Sequence, residues 1–295
     1  MMRISQDYLR VYIAKTDALD DPAVYDSLYR KLPGFRRKKA DSYKVIGARN
    51  QSVAAFCLLM YGLEKVLCTN ETKSEHDKPD TGTFTPQDYE IRDLSIWAFE
   101  NSQIVDTDIW NTLDYQTTET GKPYFAGRPD IHFSLSHTKG AVMCAISGSE
   151  VGCDIERIDR RMDLESVAAR ILTEKEIQSC RGKETLIPEI ITKKEIRACR
   201  VEASDDQPAF NDIVADTNTD QQDGQMNRIQ PLSGIDPKEF FRIWTRKEAY
   251  SKYTGHGLKQ IADRIDLEKA DAHIFSGETT THIWSVTTEY IPKYG

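Results

Sequence analysis

Residues 131–156 read IHFSLSHTKGAVMCAISGSEVGCDIE. Ile131 to Leu135 and Ala141 to Ser147 are strand-like runs joined by a short turn containing Lys139-Gly140, which predicts a hairpin. Val151 to Glu156 predicts a third strand. Working outward, Tyr8 to Ala14 suits an opening strand. Ala23 to Leu32 and Arg36 to Leu67 carry helical periodicity, with Pro33-Gly34 between them. Val53, Phe56, Cys57, Met60 and Leu63 recur at three- and four-residue steps, the pattern of a core helix. Downstream, helices are expected near Leu164 to Arg170, Glu174 to Arg181 and Pro237 to Tyr253, and a late strand at His282 to Tyr290. A strand, helices and a hairpin thus precede residue 150, and a looser version follows. This order predicts an α+β fold of two pseudo-symmetric halves, residues 1–148 and 149–295, although no clear sequence repeat links them.

The chain has 295 residues, enough for one large or two small domains with a buried core. Lys plus Arg number 39 and Asp plus Glu 47, for a net charge of −8. That balance argues against a nucleic-acid binder, whose affinity comes from neutralised phosphates. The longest apolar run, Val53 to Leu63, is 11 residues, too short for a membrane span. No apolar core resembling a signal peptide opens the chain, and acidic residues begin at Asp7. Cysteines 57, 68, 144, 153, 180 and 199 include no CxxC pair, so reduced thiols in the cytoplasm are expected and a zinc site is not. Two stretches contribute a net −10 between them, so the rest of the chain is about +2. Cys68 to Glu90 has six acids against two lysines, and Val201 to Gly234 has seven acids against Arg228 alone. Both are short of large apolar residues and read as flexible inserts.

Four groups of residues bear on chemistry. In Val151-Gly152-Cys153-Asp154-Ile155-Glu156, strand periodicity points Asp154 and Glu156 to one face. Paired carboxylates of this kind form a half-site for a hard cation such as Mg²⁺, and Gly152 permits close approach of backbone or ligand. The same hexapeptide also fits an edge strand with a solvated acidic face. In Trp244-Thr245-Arg246-Lys247-Glu248-Ala249-Tyr250-Ser251-Lys252, helical spacing aligns Trp244, Glu248 and Lys252 on one stripe. Glu248 suits a third metal ligand or a general base, and Lys247 and Lys252 suit charge neutralisation. A surface Glu–Lys pair is the plainer reading. Gly121-Lys122-Pro123 precedes the hairpin, and Ser136-His137 ends its first strand. Hydroxyl, imidazole and ammonium together suit a phosphate, while a Ser-His pair also caps turns. Arg36-Arg37-Lys38-Lys39, with Lys44 and Arg49, is the densest positive patch, and it equally fits a solvated helix face. No serine elbow, P-loop or GxGxxG is present.

Taken together and in order, these groups resemble the 4′-phosphopantetheinyl transferases of the larger, Sfp-like monomeric type. Gly121-Lys122-Pro123, Phe133 to His137, Gly152 to Glu156 and Trp244 to Lys252 match the family's GKP, FxxSH, GxDxE and WxxKExxxK marks. Arg170 to Glu176 and the basic Leu32 to Ser52 stretch, with Tyr43, are similar to further family segments. The resemblance runs over roughly residues 8 to 290, interrupted by the two inserts. It implies transfer of the phosphopantetheine arm of coenzyme A to a serine of an apo acyl or peptidyl carrier protein, as in a holo-acyl-carrier-protein synthase. Adenosine 3′,5′-bisphosphate is released and Mg²⁺ is required. By resemblance, Asp154, Glu156 and Glu248 ligate Mg²⁺, with Asp154, Glu248 and Lys252 at the reacting centre. Lys122, Lys247, Ser136 and His137 then contact coenzyme A phosphates, and Arg36, Lys39 and Arg49 the adenosine end. A cytoplasmic monomer with no nucleic-acid or membrane partner is expected. The other reading of the same marks is an idle relative that binds coenzyme A or carrier without transfer. Three departures stand out: Arg49-Asn50-Gln51 where the family commonly has arginine just before Ser52, the long 177–236 segment, and a further strand expected where the chain reads Tyr294-Gly295.

Overall fold

A computed structural model describes residues 8–68, 89–92, 94–99, 113–181, 234–257 and 261–289. The bulk of both acidic stretches lies outside the described residues. Residues 1–160 with 241–295 form one compact unit, and residues 161–240 another.

In the first unit, β1 (Leu9–Lys15) is followed by α1 (Pro22–Lys31), α2 (Gly34–Asp41) and α3 (Ile46–Cys68). The Asp21 carboxylate caps α1 through the Ala23 N–H, and Pro22 sits in the first turn, where its missing N–H costs nothing. The predicted Arg36–Leu67 helix is two helices. The Ser42 hydroxyl donates to the Lys39 carbonyl at 2.6 Å and takes up a group that a continuing helix would use. Then come β2 (Tyr89–Arg92), α4 (Leu94–Phe99), β3 (Asp114–Thr117), β4 (Pro123–Ala126), β5 (His132–Thr138), β6 (Ala141–Ser147) and β7 (Val151–Arg157). The first sheet has the order β2-β1-β6-β5, antiparallel except that β1 and β2 run parallel, and β3 and β4 pair separately.

Both faces of this sheet are covered, which explains its unbroken apolar runs. Tyr12, Ala14, Val142, Cys144 and Ile146 pack with Val53, Phe56, Met60 and Leu63 of α3. The alternate residues Leu9, Val11, Ile13, Ala141, Met143 and Ala145 pack instead with Val151, Cys153, Ile155, Trp284 and Val286. These last belong to a second sheet, order β7-β9-β8, formed with β8 (His273–Glu278) and β9 (His282–Thr288).

The second unit holds α5 (Leu164–Ile171) and α6 (Glu174–Cys180). Thr173 and Glu176 close a reciprocal capping box at the start of α6, and Arg181 pairs with Glu165 at 2.9 Å. The Asp236 N–H donates to the Cys180 carbonyl at 2.8 Å, and α7 (Pro237–Thr254) begins there.

The α+β expectation holds. The hairpin, β7, α5, α6, α7 and β9 stand within a few residues of their predicted bounds. The β3–β4 ribbon, β2, α4 and β8 were not anticipated, because each is four to six residues long and sets up no period. Cys57, Cys144, Cys153 and Cys180 are buried thiols outside any disulfide.

Candidate active site

The site begins with serines. Ser134, Ser136 and Thr138 are alternate residues of β5 and project together toward β7. The Ser134 hydroxyl accepts from the Cys153 N–H at 3.0 Å. Ser136 Oγ accepts from the Ile155 N–H at 3.4 Å and donates to Asp154 Oδ1 at 2.7 Å. Thr138 Oγ1 donates to Glu156 Oε2 at 3.0 Å. Hydroxyls thus do between β5 and β7 what a backbone ladder does inside a sheet, and they orient both carboxylates.

Gly152, Asp154 and Glu156 lie on the face of β7 opposite Val151, Cys153 and Ile155, which are in the core. A Cβ on Gly152 would overlap the Ala249 carbonyl oxygen and the Tyr253 nitrogen and lie 2.9 Å from the Tyr253 Cα. The absence of a side chain there lets α7 cross β7 in backbone contact. Farther along, Thr245 Oγ1 and Ser285 Oγ of β9 are 2.8 Å apart, a second tie between helix and sheet. This close crossing brings Lys252 over Asp154, with Nζ 2.7 Å from Oδ1 and 3.2 Å from Ser136 Oγ.

Asp154 is 4% exposed and Glu156 8%. Asp154 Oδ2 is buried and has no hydrogen-bond partner among the described residues. Burial, and then the Asp154 charge, push the Glu248 carboxyl up to about 7, with Lys252 opposing. Burial followed by Asp154 also raises Glu156, against Arg160. Burial would lower Lys252, but Asp154 and Glu248 outweigh it and hold its ammonium charged. An orphan carboxylate oxygen and a carboxyl driven toward neutrality mark surplus negative charge, a donor set that fits a hard divalent cation. Among the described residues, no three His, Cys, Asp or Glu side chains already converge as a ligand group.

The other expected site residues divide into those near this centre and those elsewhere. His137 is solvent-accessible on β5. Desolvation, and then the Lys252 charge, lower its pKa, and the Arg36 guanidinium is close enough to contribute. Arg36 reaches Ser52 Oγ at 3.2 Å and stands 4.6 Å over the Phe56 ring. Lys39 lies over Tyr43, and Arg49 lies 4.6 Å from the Tyr25 ring centroid. Of Arg49-Asn50-Gln51, it is Gln51 that touches the strand of the site, donating to the Thr138 carbonyl at 3.1 Å. Lys122 is held by Glu150 and by the Tyr253 carbonyl at 2.6 Å, beside Lys252 in the chain. It lines a cavity of about 290 Å³ with Phe125, Arg128, His132 and Glu150. Lys247 is fully buried and donates to the Ile265 carbonyl at 2.8 Å.

Sequence reasoning passed over Thr138, Gln51 and Arg160. Thr138 continues the Ser134, Ser136 alternation and was legible on that ground. Gln51 and Arg160 carry no signal of their own, because only the folded chain brings them to β5 and β7.

The carboxylates of β7 and the Glu248–Lys252 stripe of α7 fall inside one family match. The 4′-phosphopantetheinyl transferase superfamily matches residues 150–290. Over those residues the chain is similar to that superfamily. It is similar to a 4′-phosphopantetheinyl transferase of Bacillus subtilis, with 22% identity over 163 residues covering 55% of this chain and 50% of the relative. The 4′-phosphopantetheinyl transferase Sfp of Bacillus subtilis (strain 168) is 23% identical over 171 residues, 55% of this chain and 54% of its own. The 4′-phosphopantetheinyl transferase HetI of Nostoc is 26% identical over 155 residues, 51% of this chain and 44% of its own. The chain thus spans about half the length of the curated relatives it matches.

Proposed function

We propose that this protein transfers the 4′-phosphopantetheine group of coenzyme A to a serine of an apo acyl or peptidyl carrier protein and releases adenosine 3′,5′-bisphosphate. The observation that carries this reading is the meeting of Asp154, Lys252 and Ser136 within 3.2 Å beside a Glu248 carboxyl raised to about 7. Perturbed groups gathered at one buried point are the usual signature of a reacting centre. The superfamily match and the three transferase relatives support it.

In this reading residues 1–148 supply the coenzyme A contacts and residues 149–295 the carboxylates. Asp154, Glu156 and Glu248 would hold Mg²⁺, which when bound would supply positive charge to the pyrophosphate oxygens. The carrier serine Oγ attacks the phosphorus that bears pantetheine, a new O–P bond forms, and the bond to the nucleotide phosphate breaks. Glu248 is the residue placed to take the serine proton. Lys252 neutralises, or gives a proton to, the departing bisphosphate. His137 and Ser136 meet nucleotide phosphates, with Lys122 at the edge of the site and Arg36, Lys39 and Arg49 toward the adenosine end. Lys247 is assigned to holding α7 against the Ile265 segment, since its ammonium is buried on that carbonyl. Positioning and charge do most of the work in phosphoryl-type transfers, so a few well-held side chains suffice. The protein acts as a cytoplasmic monomer in this reading.

The experiment is intact-mass spectrometry of an apo-carrier incubated with the protein, coenzyme A and Mg²⁺. A gain of one phosphopantetheine arm that EDTA abolishes is the expected result. No gain across fatty acid, polyketide and peptide carriers, with coenzyme A still bound, overturns it.

A further inference from the structure

Arg160 belongs to none of the motifs above, yet it occupies one of the three carboxylates. Its backbone N–H donates to the Arg157 carbonyl at 3.3 Å, closing a turn at the end of β7. That turn is pinned by the Arg157–Asp159 ion pair and by the Ile158 N–H on the Thr281 carbonyl at 3.0 Å. The chain doubles back, and Arg160 Nη1 comes to rest 2.7 Å from Glu156 Oε1. The other oxygen, Oε2, accepts from Thr138 at 3.0 Å. Both oxygens of Glu156 are therefore engaged, whereas Asp154 keeps Oδ2 without a partner.

We propose that Arg160 is a built-in counter-ion for Glu156, which holds the carboxylate when no divalent cation is bound and must withdraw when a cation takes Glu156 as a ligand. The inference rests on the metal role given to Glu156 above. A buried carboxylate without a cation is costly, and a guanidinium within hydrogen-bond distance offsets that cost. Exposure decides which partner moves. The Arg160 side chain is 32% exposed and has a way out to water, while that of Glu156 is 11% exposed and is also held by Thr138. The exchange also accounts for the lack of a converged ligand group among the described residues. One carboxylate is turned to an internal cation, and its release completes the set. Arg160 is thus a positioning residue that sets cation affinity and needs no contact with coenzyme A.

The test uses the full chain and Mn²⁺ alone, with free Mn²⁺ followed by electron paramagnetic resonance, beside thermal melting in EDTA. Arg160→Gln removes the competitor, so Mn²⁺ binds about fivefold tighter, as expected when one coupling of ordinary size is lost. The same variant melts lower than wild type in EDTA and recovers on adding Mn²⁺. Arg160→Lys keeps the charge and stays close to wild type. Unchanged Mn²⁺ affinity in Arg160→Gln, with binding lost in Asp154→Asn, overturns the counter-ion role and leaves the metal reading standing. Equal tightening in Arg160→Gln and Arg160→Lys also overturns it, because charge then does not compete. Absence of Mn²⁺ binding in wild type removes the metal reading and the Arg160 role with it.

Discussion

Asp154 has one oxygen shared between an ammonium and a hydroxyl and one with neither. Lys252 and Ser136 hold Oδ1 at 2.7 Å each, so the carboxylate is fixed while Oδ2 stays open. Asp154→Asn keeps the shape but loses the charge. Transfer is expected to fall at least about 100-fold, the cost of removing one preorganised electrostatic group, while circular dichroism stays native. An active, folded Asp154→Asn protein sinks the assignment. Glu248 gives a pH test. Its carboxyl keeps a proton up to about 7 in the folded chain but releases it near the ordinary 4.5 when unfolded. Between those values Glu248 holds more proton in the folded state, so its own contribution to stability is full below 4.5 and is lost as pH rises through about 7. In EDTA, urea midpoints of wild type should decline across that window, and Glu248→Gln should flatten the decline. The remaining slope belongs to Glu156, shifted in the same direction, and to the histidines, of which His132 is shifted up and His137 and His282 down. A Glu248→Gln profile parallel to wild type refutes the assignment.

The distance between α7 and β7 depends on one missing side chain. Gly152→Ala puts a methyl into the Ala249 carbonyl and the Tyr253 backbone, neither of which yields without moving the helix. We expect a loss of about 3 kcal/mol, the upper end for overpacking, read from denaturant midpoints, together with a steep fall in transfer as Glu248 and Lys252 leave Asp154. Full activity and stability in Gly152→Ala would show that the crossing tolerates separation. The i, i+4 spacing of Glu248 and Lys252 and the i, i+2 spacing of Asp154 and Glu156 were both readable beforehand. Gly152 was readable only as a place of close approach. Whether a ligand or a backbone came close was settled by α7. For Lys247 the motif suggested a phosphate contact, and the fold adds that its ammonium donates to the Ile265 carbonyl.

For the molecule entire, net charge and local charge point in different directions. The chain carries −8, yet Arg36, Arg37, Lys38, Lys39 and Lys44 form a basic run, of which Arg36 comes close enough to His137 to act on its charge. On the proposed function an acidic carrier gains little long-range steering from the overall field, and we expect a local basic and apolar surface to make the contact. Raising salt from 50 to 300 mM should weaken carrier binding by no more than about tenfold, since screening acts on a few exposed pairs only. A loss far beyond that, measured by surface plasmon resonance, would show that the whole-molecule field matters. Two buried layers hold this unit. The first sheet packs on α3 through one face and on the second sheet through the other. The apolar runs Val11–Ala14 of β1 and Ala141–Ile146 of β6 announce a sheet covered on both sides. The second sheet was harder to read, because β9 buries Ser285, Thr287 and Thr288 under cover that polar residues alone do not forecast.

From the chain by itself came the elements and the order of the reacting groups. Periodicity and residue type are local properties, and the carboxylates, serines and lysines lie at spacings set by strand and helix geometry. Tertiary structure alone decided which of them meet. Ser136 and Lys252 are 116 residues apart, and they share Asp154 because Gly152 lets α7 reach β7. Gln51 reaches Thr138 across 87 residues, and Arg160 reaches Glu156 through a turn that no helical pattern describes. Such contacts depend on how faces stack and how closely backbones approach, and neither is written in the sequence of any one segment.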